Sequence, residues 1–236
     1  MLPTPAVTVP AVPAAAPVPF LGILMLDTQF PRPPGDIGNP QTWAALGIPV
    51  QMHKVQGASP AKIVREADPR FVQPFVDAAR ALQAAGAALI TTSCGFLAAY
   101  QDLLAGSVDV PVVSSSLLQC VTVPRPGVVT IAAASLTPRI LAAAGVPAGT
   151  PVQGVAPESE FAMRILGNDP HMDIAQAERD VVAAAVALCQ AHPQIESMVL
   201  ECTNMPVYRD AVAQATGLPV HDVVSLLAQR WAALPA

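Results

Sequence analysis

Apolar residues along the chain follow two alternating rhythms. Continuous runs at residues 20–26, 49–52, 88–91, 127–131, 151–155 and 198–200 each end at small polar residues or turn formers. Such runs read as strands buried on both faces. Between them, apolar positions recur every three or four residues. Phe71, Phe75, Ala79 and Leu82 form one such stripe, and Ile174, Ala177, Val181, Ala185 and Leu188 a longer one. Val223, Leu226, Leu227 and Trp231 form the last, and each stripe predicts an amphipathic helix. Asp68-Pro69 reads as a helix cap followed by a first-turn proline, and Ser135 or Thr137 before Pro138 reads the same way. Strands alternating with helices predict an α/β fold with mostly parallel sheets.

One device occurs twice. Cys202 follows Cys94 by 202 − 94 = 108 positions, and at that offset Tyr100 falls on Tyr208, Asp102 on Asp210, Pro111 on Pro219 and Val112 on Val220. The chain has only two tyrosines, and both hold the same place in the repeat. In each copy a strand runs into a small polar turn carrying the cysteine, then a helix, then a strand entered through Val-Pro-Val or Leu-Pro-Val. The repeat predicts two pseudo-symmetric α/β lobes with a site in the cleft between them. Residues 19–123 with 217–236 would form the first lobe and residues 124–216 the second, joined at Pro124-Arg125-Pro126. Each cysteine then sits between a strand's C-terminal end and a helix's N-terminal end, where parallel sheets bind ligands. Free N–H groups there are expected to lower a thiol's pKa.

Composition narrows the function classes. The 236 residues are 53% hydrophobic and 12% charged, with a net charge of −5 and no basic run, which argues against nucleic acid and anionic membrane as partners. Residues 81–101 carry no charge, but Gly86, Thr91, Thr92, Ser93 and Gly95 break them into helix end, strand and loop, not a membrane span. The four cysteines have no CxxC or Cys/His spacing, so no metal site is expected. Cys120 and Cys189 read as packing residues. Residues 1–18 alternate Pro, Ala, Val and Thr, an extended tail or a strand-like arm on a second copy, which leaves a homo-oligomer open. The first basic residue is Arg32, so no secretory leader is readable and the cytoplasm is the expected compartment.

Two cysteines after equivalent strands resemble the cofactor-independent aspartate/glutamate racemase superfamily. That group includes glutamate, aspartate and hydantoin racemases, maleate isomerase and arylmalonate decarboxylase. The resemblance covers roughly residues 20–233. Its motifs differ in detail: Cys94-Gly95-Phe96 stands where amino-acid racemases commonly show Cys-Asn-Thr, and Cys202-Thr203-Asn204 where glutamate racemases show Cys-Thr-His. Cys-Thr-Asn-Met-Pro is closer to the maleate isomerase form.

The resemblance implies no cofactor, a small carboxylate substrate, and Cys94 and Cys202 as acid and base on opposite faces of one carbon. It carries Asp27 and Thr28 over by position at the end of the first strand, and Ser135 and Thr137 as carboxylate-binding hydroxyls. The backbone N–H groups at Gly95-Phe96 and Thr203-Asn204, with the Thr203 hydroxyl and Asn204 amide, are the candidate donors to a developing enediolate. Asp36 and Asn39, in the proline-rich loop of residues 29–40, read first as turn formers. Racemase or isomerase is the leading reading. A decarboxylase is the second, and Cys94 counts against it because the decarboxylase pattern lacks the first thiol. A binding protein that has lost catalysis is the third.

Overall fold

A computed structural model describes residues 18–235, so the tail reading for residues 1–18 lies, but for Val18, outside the described residues. Strands β1 (Phe20–Met25), β2 (Val50–Lys54), β3 (Ala87–Thr92) and β4 (Val112–Val113) form one sheet in the order β2-β1-β3-β4. Strands β5 (Pro126–Thr130), β6 (Val152–Gly154), β7 (Ser197–Leu200) and β8 (Val220–His221) form a second, in the order β6-β5-β7-β8. Every pairing in both sheets is parallel. The second order is the first advanced by four strands, so the sequence repeat is a repeat of topology.

Strand β1 shows why the runs are continuous and not alternating. Its side chains divide between two faces. Phe20 and Leu24 join the large core, and Leu21, Ile23 and Met25 join a smaller one that also contains Ile37, Trp43 of the short helix α1 (Pro40–Ala44) and Leu227. Helix α2 (Val72–Ala84) covers the first face with Phe75, Ala79 and Leu82. Helix α8 (Val223–Ala232) covers the second with Val223, Leu226 and Leu227. Fully burying a side chain of this size is worth about 1.5–3 kcal/mol. Gly22 lets α2 approach, since a β-carbon there would meet Leu82 at 3.0 Å. Gly127 holds the same place in β5, against Ile195 and Leu188 of the second lobe.

The large core contains residues of both sheets, Phe20 and Ile90 with Val129 and Leu200 among them, so the lobes share one packed interior. The expected lobe boundary at residue 217 moves. Met198 N–H donates to Pro219 O (2.9 Å), and Val220–His221 pairs with β7 as the edge of the second sheet. The chain re-enters the first lobe only after His221, at Asp222, whose side chain caps α8 through the Ser225 N–H (2.8 Å). The repeat requires this, because Pro219-Val220 corresponds to Pro111-Val112 at the start of β4.

Helix starts follow the sequence. Asp68 caps a tight turn at Pro69–Phe71 that leads into α2, and Thr137, not Ser135, caps α4 (Pro138–Ala143). Ser159 caps α5 (Glu160–Gly167), and Asp173 caps α6 (Ile174–Ala191). After each cysteine the chain forms a 3-10 turn before its α-helix. Gly95–Tyr100 precedes α3 (Gln101–Ala105), and Met205–Tyr208 precedes α7 (Arg209–Thr216). No helix among the described residues is long and apolar enough to cross a membrane.

Candidate active site

The two cysteines follow β3 and β7, the equivalent strands of the two sheets, and line one cavity from opposite lobes. Hydroxyls fix the first strand end. Ser93 N–H donates to Leu24 O (2.9 Å), and its hydroxyl accepts from Leu26 N–H (2.8 Å). The Thr91 hydroxyl donates to Val113 O and that of Thr92 to Ser114 O (2.7 and 2.8 Å). These bonds clamp the C-terminal ends of β1, β3 and β4 together, so Cys94 emerges from a rigid edge. The lobes are tied across the cleft as well. Thr203 donates its hydroxyl to Ser93 O (2.7 Å), Ser116 donates to Leu200 O (2.7 Å), and Gln29 N–H donates to Asn168 Oδ1 (2.7 Å).

Cys202 is held by a chain of polar contacts. Its thiol donates to Asn204 Oδ1 (3.6 Å), and Asn204 Nδ2 donates to Asp36 Oδ2 (2.6 Å). The other Asp36 oxygen accepts from Gly38 N–H and from Arg32 Nη1, both at 2.7 Å. Arg32 also reaches the Thr28 hydroxyl (2.9 Å) and lies 4.6 Å from the Phe30 ring centre. Asp36 is thus a turn former, as expected, and also the anchor of the second cysteine's neighbour.

The expectation of lowered thiol pKa values is reversed. Burial first, and the Glu201 carboxylate second, push Cys94 up to about 12. The backbone N–H groups of Phe96 and Leu97 and the charge of Arg32 work in the opposite direction. Burial and Glu201 also push Cys202 well above the ordinary thiol value, helped by Cys94 and Asp36 and opposed only by Asn204 N–H. The dipole of a one- or two-turn 3-10 segment is too small to overcome desolvation in an apolar cleft. Cys94 has more groups favouring its thiolate, and Cys202 has an oriented acceptor for its proton.

Glu201 carries no exposed surface. One oxygen accepts from the Thr130 hydroxyl (2.7 Å), and the other, Oε1, has no hydrogen-bond partner among the described residues. Burial raises its pKa to about 7, with the Thr130 hydrogen bond opposing. Sequence reasoning passed over this residue, although a charged side chain at the end of an apolar strand, where the first copy has Ser93, was a readable signal. Arg32 was also missed, because a proline-rich loop gives no indication of which way its side chains turn.

The remaining expected site residues separate into groups. Gly95, Phe96, Thr203 and Asn204 line the thiol cavity with Leu26 and Phe30. The Thr203 hydroxyl and both ends of the Asn204 amide are already committed within the protein. Asp27 turns away to Gly57 N–H (3.0 Å) and Lys54 (3.4 Å); the Gly57 bond, with help from Lys54 and against a smaller effect of burial, holds its carboxyl below the ordinary value. Thr28 meets the site through its hydroxyl, which accepts from Arg32. Ser135 and Thr137 line a different cavity, on the far side of Phe96 and Val64. The space at the thiols is only about 20 Å³, roughly one water. Its apolar rim, with Phe30, Pro60, Val64, Ile165 and Leu166, must move to admit a ligand.

Solved structures share this architecture. A glycine-to-cysteine mutant of arylmalonate decarboxylase in a sulfate-associated form superposes with a TM-score of 0.61 at 18% identity, over 92% of this chain and 95% of that one. A glutamate racemase isoform from Bacillus anthracis gives 0.58 at 15% identity, over 91% and 80%. The fold is that of the aspartate/glutamate racemase superfamily, as the paired cysteines implied. In sequence the chain is similar to curated dimethylsulfoniopropionate lyases. Lyase 7 of Emiliania huxleyi (strain CCMP1516) is 31% identical over 229 residues, 88% of this chain and 64% of that protein. Lyase 5 of the same strain is 28% identical over 234 residues, covering 89% and 44%. The enzyme from Durusdinium sp. clade D is 28% identical over 223 residues, covering 86% and 71%. The chain therefore spans about half to two thirds of the length of the first two relatives. No family model matches it.

Proposed function

We propose that this chain is a cofactor-independent enzyme that removes the proton from the carbon beside a carboxylate of a small acid, and returns a proton to the opposite face of that carbon. The observation that carries this reading is the placing of Cys94 and Cys202, from equivalent positions of two lobes, around one small cavity. Cys94 is the base, since two N–H groups and Arg32 favour its thiolate. Cys202 is the acid, its S–H oriented by Asn204 and Asp36. The free N–H groups of the Gly95–Tyr100 turn stabilise the enediolate as charge moves from sulfur to substrate. The substrate carbon takes its place between the thiols when the rim opens, and closure then excludes water. This is the chemistry of a racemase or isomerase.

A second fate of the same carbanion is favoured by the sequence relatives. If the β-carbon carries a sulfonium group, as in dimethylsulfoniopropionate, the electron pair left by the α-proton forms a C=C bond and the C–S bond breaks. Dimethyl sulfide leaves as a neutral molecule and acrylate remains, so this route needs the base but no acid. Both fates begin with α-deprotonation, and one experiment separates them. The protein is incubated in D₂O with dimethylsulfoniopropionate, and separately with single enantiomers of aspartate, glutamate and other small chiral acids. Headspace gas is analysed for dimethyl sulfide, and NMR and chiral chromatography follow α-deuteration and inversion. Inversion with deuterium incorporation supports the racemase reading; dimethyl sulfide with acrylate supports the lyase. Absence of exchange, inversion and elimination across the panel would sink the proposal.

A further inference from the structure

Next to the thiol cavity lies a larger one of about 260 Å³, closed by residues of both lobes. Its walls are Ile63, Phe71, Val72 and Phe75 from the first lobe and Ile140 from the second, and Phe96 and Val64 separate it from the thiols. Its polar groups are few. Asp68 is neutralised by Arg70, which reaches both carboxylate oxygens (2.6–3.1 Å). Arg139 makes no ion pair among the described residues and faces the Tyr100 ring at 6.0 Å. Lys62 sits over the ring of Phe71, one of the wall residues (5.4 Å). Ser135, Thr137 and Arg139, all from the second lobe, line the same cavity. An apolar chamber lined by one unpaired arginine and two hydroxyl residues matches the general form of small-molecule sites.

We propose that this chamber is a second ligand site, separate from the thiols, that takes a monocarboxylate with an aryl or short alkyl body. The body fills the space between Phe71, Phe75 and Ile140. The carboxylate meets Arg139 and the hydroxyls at the rim. A ligand here bridges the lobes and packs on Phe96, in the turn whose N–H groups point at Cys94.

The test uses 4-phenylbutyrate and, as its uncharged counterpart, 4-phenyl-1-butanol. Calorimetric titration into the full chain and into Arg139→Gln is paired with isoleucine-methyl NMR, the signals assigned through Ile63→Val and Ile140→Val. The acid is expected to bind, and Arg139→Gln to weaken it roughly tenfold, the scale of one charge-assisted hydrogen bond. The alcohol is expected to be indifferent to that substitution. Ligand NOEs are expected at the Ile63 and Ile140 methyls. Three results would overturn the proposal: no binding of either probe, equal binding of the acid to both proteins, or NOEs at Ile131 and Ile165, which line the thiol cavity instead. None of these readouts depends on turnover, so the site stands or falls apart from the proposed reaction.

Discussion

The carboxylate of Glu201 packs directly against the α-carbon of Gly95, so that the acid before the second cysteine touches the residue after the first. A β-carbon on Gly95 would overlap Glu201 Oε1 and come within 2.5 Å of the Glu201 carbonyl oxygen. Only glycine permits this contact between the lobes. Gly95→Ala is expected to displace either Glu201 or the turn that carries the Phe96 and Leu97 N–H groups. The overpacking cost is about 1–3 kcal/mol, read as a lower urea midpoint, with a large loss of activity. Adding Glu201→Ala removes the side-chain overlap but not the one with the Glu201 carbonyl oxygen, so the double variant should regain only part of the lost stability.

Glu201 also sets a pH dependence. Its pKa rises from 4.5 to about 7 on folding, so the folded state binds the proton more tightly than the unfolded chain. Its stabilising contribution is complete below the unfolded value and is lost as pH climbs to about 7. The loss is on the order of 3 kcal/mol at most. Urea midpoints measured from pH 4.5 to 7.5 should fall, and Glu201→Gln should flatten that slope. The same substitution removes a negative charge that opposes both thiolates, so ultraviolet thiolate absorbance should develop at lower pH. A Gln variant with an unchanged slope and thiolate titration would show that Glu201 is not the group responsible.

Much of this was legible in the sequence, for physical reasons that differ by residue. The run Gly22 to Met25 could only be a strand buried on both faces, and the 94/202 offset required the two sheets to match. Pattern reports burial well because burial selects for apolar side chains at fixed spacing. It reports the direction of a polar side chain poorly. Asp36 reads as a turn former from its Pro/Gly surroundings, and its second oxygen, aimed at Asn204, is decided by the packing of the other lobe. Ser135 and Thr137 have the right chemistry for a carboxylate, yet Phe96 and Val64 stand between them and the thiols. The thiol pKa values went the opposite way to expectation because desolvation depends on closure of the cleft, which no local motif encodes.

The polar chain behind Cys202 separates orientation from base strength. Asn204→Leu removes the acceptor for the Cys202 thiol and leaves an Asp36 oxygen without its donor. A buried group that loses its partner costs about 1–3 kcal/mol, visible in denaturant melts. Asp36→Asn keeps the size but weakens the hold on Asn204 and Arg32. Both variants should slow proton return more than proton removal. In D₂O with an exchanging enantiomer, the ratio of inversion to α-deuteration should drop. An unchanged ratio would mean that the Asp36–Asn204 link is structural only.

The two thiols are distinguished by what each serine variant retains. Cys94→Ser replaces the proposed base with a hydroxyl that is too weak an acid to form the needed anion, and a lost general base typically costs roughly 10²- to 10⁴-fold. α-Deuteration of the enantiomer that Cys94 deprotonates should fall by that factor, and elimination from dimethylsulfoniopropionate should fall with it. Cys202→Ser leaves the base in place. It should stop inversion while sparing deuteration of that enantiomer, to the extent that the S–H formed on Cys94 exchanges with D₂O before the proton returns to the carbanion. Elimination, which needs no proton donor for a departing sulfide, should survive Cys202→Ser largely intact. A protein whose inversion survives both substitutions does not use these thiols as acid and base. Equal loss of elimination in both variants would instead mean that Cys202 has a direct part in substrate binding or in removing the proton.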